Sequence, residues 1–371
     1  MVDLRDFRLL TRWKMEFKSQ EGLSPFEAKI SFSDFNTSYF PQGMHLDFSL
    51  HDLLLTAYSL LGKLNGVCEY FQDIDLVEQM FLVKEATASC QIDGSSVVFL
   101  DYFKQISEEN YEHSNDISYL FNYVKALNYI VNEVKSREVS YELLLMLEQI
   151  LYVTREKSKL SLNNEQLFCN KGFNLNSSTS FNFTKFANED VTFPLLLKAG
   201  IIHSEFFKIF SLNNDYGKIN RIILFLDRQM FAAKIILPLS DYFKNYKKEY
   251  IELICFNDEI GLNKWLRYFL SAVINTSSKV IQILNNIRHC RDRNEKKIAT
   301  LGRTFYKSKL LLQCLYKKPI VKVKDVEKIT SLKNPNALKL ISKFVSLGIL
   351  KEITGQKRNR LFVYKDYMDL F

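Results

Sequence analysis

Residues 202–225 read IHSEFFKIFSLNNDYGKINRIILF: an apolar helix, a short polar loop and a second apolar helix. The loop, Ser211 to Lys218, ends in a run that restarts helical periodicity with Gly217, Lys218 and Arg221 at its head. This is the layout of an anion site at a helix N-terminus, where unpaired backbone N–H groups and the helix dipole favour negative charge. The residues alone leave a second reading open, in which Tyr216 and Phe210 fill the space and the two cations only solvate the helix start.

Composition favours helices on either side of this stretch. Of 371 residues, 47% are hydrophobic and 25% charged, the ordinary globular balance, and the length suggests two or three domains. With 30 Phe and 19 Tyr against 12 Gly and 6 Pro, turn formers are too few for a strand-and-turn architecture, and the expected class is all-α. No apolar run reaches membrane-spanning length, and the opening MVDLRDFRLLTRWKMEF scatters its charges instead of placing a basic start before an apolar block. The expectation is a soluble, cytoplasmic chain with no membrane partner. The cysteines Cys68, Cys90, Cys169, Cys255, Cys290 and Cys314 lack C-x-x-C spacing; reduced, buried thiols are expected ahead of zinc or disulfides.

Charge is unevenly spread. The chain total is +8, yet residues 281–371 hold 21 Lys+Arg and 7 Asp+Glu, a net +14, which leaves −6 for residues 1–280. A basic end on an acidic body has the electrostatics of a nucleic-acid-binding appendage and also those of a solvated lysine-rich surface, and charge alone does not separate them.

Periodicity maps the remaining elements. Residues 1–47 read as an irregular arm with turn signals at Phe40-Pro41-Gln42-Gly43. From Ser49, the positions Leu53, Leu54, Ala57, Tyr58, Leu61 and Leu64 recur at helical spacing up to a predicted stop at Asn65-Gly66. A second helix covers Val77 to Cys90, with Gly94 the residue past its end. Asp116 is the predicted N-cap of a helix through Tyr119, Leu120, Tyr123, Val124, Leu127 and Ile130, and Tyr141 to Thr154 forms another. Residues 157–190 show neither period; a hairpin on Phe173, Leu175, Phe181 and Phe183 and a loop anchored by aromatics are both compatible with them. A long charged helix, Ser277 to Ala299, leads to a segment from Lys309 to Phe371 that reads helix, helix, helix, strand, turn, strand.

Several of these stretches resemble the Fic (Fido) family of protein adenylyltransferases. Lys84, Glu85, Ala86, Ser89, Ile92, Asp93 and Gly94 resemble the family's K-E-A-x-x-S-x-x-I-E-G. Phe121 to Leu127 (FNYVKAL) resembles its N-Y-V-x-A-L helix. Pro238, Leu239, Ser240, Tyr242, Phe243 and Tyr250 resemble P-L-x-x-S-x-Y-F followed by Y, and Trp265 to Leu270 resembles W-L-x-F-F-L. The central stretch resembles H-P-F-x-D/E-G-N-G-R-x-G-R with its preceding helix, aligned without a gap from His203 to Arg221. The resemblance spans residues 45–280. It implies an all-α Fic/Fido helical core with a small β-hairpin flap, and a C-terminal winged helix-turn-helix. The implied boundaries are 1–47 arm, 48–100 N-terminal helices, 101–280 core, 281–308 linker helix and 309–371 winged helix.

The same resemblance implies AMP transfer from ATP to protein hydroxyls, with Mg²⁺, a nucleotide cradle and a histidine base. Here the base position is Phe210, which accepts no proton, so the expected activity is absent or weak. Asp215 stands one position from the family's metal-binding acid, with an N-cap or loop carboxylate the alternative. Gly217, Lys218, Asn220 and Arg221 occupy the phosphate-binding end. Ser89, Asp93 and Gly94 occupy an inhibitory helix whose glutamate has become the shorter Asp93. Lys339 and Lys343 on a recognition helix and Lys357, Arg358 and Arg360 in a wing are the expected DNA contacts. A protein target and self-association complete the expected partners. A divergent active transferase and a winged-helix regulator are the alternative readings.

Overall fold

The computed structural model describes residues 28–30, 44–46, 48–71, 73–107, 115–132, 141–152, 194–210, 237–255, 258–356 and 358–371. Within them the strands β1 (Ala28–Ile30) and β2 (Met44–Leu46) precede the helices α1 (Phe48–Glu69), α2 (Ile74–Ile92), α3 (Phe99–Ser107), α4 (Asn115–Asn132), α5 (Tyr141–Tyr152), α6 (Leu195–Phe210), α7 (Leu239–Asn245), α8 (Lys247–Ile254) and α9 (Glu259–Ala299). A single 3₁₀ turn then leads to α10 (Phe305–Lys317), β3 (Ile320–Val321), α11 (Val323–Thr330), α12 (Asn334–Ser346), β4 (Lys351–Glu352), β5 (Phe362–Val363) and α13 (Lys365–Met368). The chain is mostly helical, as the scarcity of Gly and Pro predicts.

Helix α2 occupies the centre. Every residue from Met80 to Cys90 is buried, the condition of a helix enclosed by others on all sides, and α2 packs against α3, α4, α7 and α10. The second axis is α9, a 41-residue helix lined by α1, α6, α7, α8 and α10. Asp258 caps it by accepting from the Gly261 N–H at 2.7 Å, as an N-cap carboxylate does. α9 runs unbroken through the positions read from sequence as the end of the core and the start of the linker helix.

An aromatic cluster joins α6, α7 and α8 to α9. Trp265 is fully buried, its indole N–H donates to the Gly200 carbonyl of α6 at 2.8 Å, and Phe243, Tyr250 and Tyr268 close around it. A Cβ at Gly200 would lie 3.0 Å from both Leu266 Cδ2 and Phe269 Cδ1, so the bare Cα lets α6 close onto α9.

Three local readings differ from the structure. α1 continues through Asn65-Gly66 to Glu69, because Leu64 and Cys68 are both buried and their burial outweighs the roughly 1 kcal/mol that a helical glycine costs. Asp116 lies inside the first turn of α4, and its carboxylate accepts from Ser95 Oγ at 2.9 Å and the Ser96 N–H at 3.3 Å, binding the loop after α2. The N-terminal arm contains an antiparallel pair, Ala28 opposite Leu46 and Ile30 opposite Met44. The hairpin-or-loop region 157–190 lies outside the described residues.

At the C-terminal end, α10, α11 and α12 pack with a three-stranded antiparallel sheet of order β3-β5-β4. This module is docked on the body. α10 lies on α2, Ser107 Oγ of α3 donates to the Ile320 carbonyl of β3 at 3.2 Å, and Asn294 Nδ2 of α9 donates to Tyr364 Oη at 2.5 Å. The Phe371 ring packs edge-on to Phe81 and stacks on Phe99, with centroids at 5.2 and 5.8 Å.

Replacing Trp265 with alanine removes the centre of the aromatic cluster and orphans the Gly200 carbonyl. Urea unfolding of Trp265→Ala should show a loss of about 3–5 kcal/mol; a loss under 1 kcal/mol would mean that α6 and α9 are held together elsewhere.

Candidate functional site

α2 carries two adjacent charged residues, Lys84 and Glu85, into the interior, and burial at this depth demands partners for both. Glu85 is fully enclosed. Its carboxylate accepts from the Ser240 backbone N–H at 2.9 Å and from Ser240 Oγ at 2.5 Å. Ser240 stands in the first turn of α7, and the residue before that helix, Pro238, offers no side-chain cap. Glu85 therefore supplies, from another helix, the negative charge that a helix N-terminus favours.

Lys84 takes the opposite flank. Its Nζ lies 3.7 Å from Asp241 Oδ2 and donates to the Phe371 carbonyl. Asp241 also receives Lys279 of α9 at 2.5 Å and Lys244 at 3.4 Å. Burial pushes the Asp241 carboxyl up, but the ammonium groups of Lys84, Lys279 and Lys244 together outweigh it, and its pKa falls below the ordinary value. Burial pulls the Lys84 ammonium down, against the opposing pull of Asp241. The cluster joins α2, α7, α9 and the final residue of the described chain.

His203, seven residues before Phe210 on α6, is also enclosed. Its Nε2 lies 3.0 Å from Tyr250 Oη, and its ring stacks with those of Phe243 and Trp265 with centroids at 5.6 and 5.7 Å. It is a core histidine.

Beyond this cluster α2 ends as its sequence suggests. Asp93 is the C-cap, with its N–H donating to the Cys90 carbonyl at 3.1 Å, and Gly94 adopts φ +90°, a conformation that strains any residue with a side chain. Ser89 is buried, while Asp93 and Gly94 are exposed.

Residues 51–132, which hold α1 to α4, match the model of the Fic/DOC family N-terminal region. Lys84, Glu85, Ser89, Asp93 and Gly94 all fall inside the Fic/DOC region. No curated protein matches the chain. Among solved structures, a Fic family protein from Desulfovibrio desulfuricans G20 is similar over 88% of this chain and 98% of its own, at 9% identity and a TM-score of 0.49.

The other residues singled out from the Fic resemblance are placed unevenly. Phe210 is the last residue of α6. Asp215, Gly217, Lys218, Asn220, Arg221 and Lys357 lie outside the described residues. Lys339 is exposed on α12, whereas Lys343 is half-buried and donates to Thr304 Oγ1 at 3.3 Å. Arg358 and Arg360 are exposed in the turn between β4 and β5, and the Arg360 guanidinium lies over the Phe362 ring at 5.4 Å. That turn is organised by Glu352, which accepts from the Thr354 and Gly355 N–H groups at 2.9 and 2.8 Å. Sequence reasoning identified Glu85 and Ser240 separately, each within a family-like run, but not the bond between them across 155 positions.

The Asp241 cluster makes a pH-dependent contribution. Its folded pKa is below the unfolded one, so the stabilisation is present above the unfolded carboxylate range and is lost as pH falls through the folded pKa. Asp241→Asn leaves Lys84 buried beside a neutral group and should cost on the order of 3 kcal/mol at neutral pH, with the deficit shrinking as pH falls through the carboxylate range. Urea titrations across that range check this; a deficit that stays constant would exclude the ion cluster as its source.

Proposed function

We propose that this is a Fic/DOC-family protein that keeps the helical fold but has lost all or nearly all AMP transfer from ATP to protein hydroxyls, and whose basic C-terminal module binds duplex DNA. The observation that carries the first part is Phe210. The alignment from His203 to Arg221 puts a phenyl ring where the family's base stands, and His203, the nearest upstream imidazole, is buried and stacks with Phe243 and Trp265. Losing a general base costs roughly 10²- to 10⁴-fold in rate. In this reading Gly217, Lys218, Asn220 and Arg221 are the groups for the ATP phosphates and Asp215 the group for Mg²⁺. The bound metal would supply charge neutralisation at the phosphates. Lysine in place of a bidentate arginine weakens that grip without abolishing it.

With labelled ATP and Mg²⁺, the purified chain should label neither itself nor lysate proteins above the level of an Arg221→Ala variant. Robust labelling that disappears with that substitution would establish a divergent active transferase instead.

The DNA reading takes α10 to α12 with the β3-β5-β4 sheet as a winged helix, α12 as its recognition helix and the β4–β5 turn as its wing. Support comes from the net +14 of residues 281–371 and from the exposure of Lys339, Arg358 and Arg360. Arg358 in the wing would hold phosphate, which positions a module without reading sequence. Duplex binding should weaken as salt rises, and Arg358→Ala should lower affinity and reduce the salt slope by about 1. Absence of duplex binding at low salt would favour a protein-binding module.

A further inference from the structure

Resting on the duplex-binding reading above, we infer that α12 reads base edges through a ridge of three residues, Asn336, Lys339 and Ser342, so that the module is sequence-selective rather than a general phosphate binder. The sides of α12 are sharply divided. Ala337, Leu340, Ile341 and Phe344 are buried, and their spacing directs one stripe of the helix into the module. Asn336, Lys339 and Ser342 are exposed and follow one another at intervals of three, which places them along one side of the helix at steps of about 4.5 Å. That step is close to the spacing of roughly 3.4 Å between bases along a strand.

The chemistry of this face fits a duplex and does not fit an apolar partner. α12 contains no Asp or Glu, so nothing on it repels phosphate. Elsewhere in the module three carboxylates are engaged. Asp325 accepts from Lys318 Nζ at 3.0 Å and from the Lys322 N–H at 2.8 Å, and Asp366 accepts from Arg293 at 2.8 Å. Glu352 is turned into its own loop. The face also carries more than point charges. An amide matches the N6–H and N7 of adenine, an ammonium matches O6 and N7 of guanine, and a hydroxyl accepts or donates to either. Lys343, four residues beyond Lys339 on the same side of the helix, is half-buried and donates to Thr304 Oγ1, which takes its ammonium out of the assignment. The assignment is therefore adenine for Asn336 and guanine for Lys339, with Ser342 adding little discrimination.

The test is selection of the full chain against a randomised duplex library, followed by affinities for the enriched and a scrambled duplex. The expected result is an enriched site. Asn336→Ala and Lys339→Ala should each relax the preference at one position by about 5-fold or more, whereas Arg358→Ala weakens both duplexes alike. All three positions are exposed, and matching thermal transitions confirm that the variants fold. Binding without enrichment, or enrichment unchanged by Asn336→Ala and Lys339→Ala, overturns this inference and leaves duplex binding standing. No binding of any duplex at low salt overturns both.

Discussion

The rest of the structure depends on the burial of Lys84 and Glu85 within α2. A helix enclosed along eleven consecutive residues, Met80 to Cys90, can hold two charges only if its neighbours bring the opposite charge or backbone donors to fixed positions. α7 does both at once: its N-terminal turn meets Glu85 through Ser240, and Asp241 meets Lys84. α9 completes the arrangement by sending Lys279 to Asp241. Removing Asp241 leaves the buried Lys84 ammonium without its carboxylate partner, so the positions of α2 and α7 are determined together, and Lys279 ties α9 to the same carboxylate. Hydrophobic packing alone tolerates sliding; a serine N–H and hydroxyl on one carboxylate do not.

The same centre fixes the C-terminal module. Lys84 donates to the carbonyl of Phe371, and the Phe371 ring packs on Phe81 of α2 and Phe99 of α3. The basic module is thus seated on the Fic/DOC N-terminal region as well as on α9, through Tyr364, Cys290 and Asn294. Its sheet and helices leave one side of α12 and the β4–β5 turn facing outward, and Lys339, Arg358 and Arg360 lie exposed on these surfaces.

Legibility varied with how local the physics was. Helix positions followed from periodicity, and the end of α2 at Asp93-Gly94 from the conformational freedom of glycine. Asn65-Gly66 failed as a stop because the buried Leu64 and Cys68 continue the helical stripe through it. Asp116 was visible as a polar residue at a helix start, but whether it caps its own helix or binds Ser95 and Ser96 depends on where the neighbouring loop passes. Lys339 and Lys343 look equivalent in a list of cations; one is exposed and the other is engaged by Thr304.

By itself the sequence determined the helical class, the charge division between the two ends, the family-like run from Lys84 to Gly94, and the presence at position 210 of a phenylalanine, which accepts no proton. These are properties of composition, spacing and side-chain chemistry, which need no neighbours. The tertiary structure alone decided that Glu85 meets Ser240, that Lys84, Lys244 and Lys279 share Asp241, that His203 is a core residue, and that α12 presents Asn336, Lys339 and Ser342 outward. Each of these joins a residue to distant chain or to solvent, and burial and pairing energies act between elements whose proximity is set only when the chain folds.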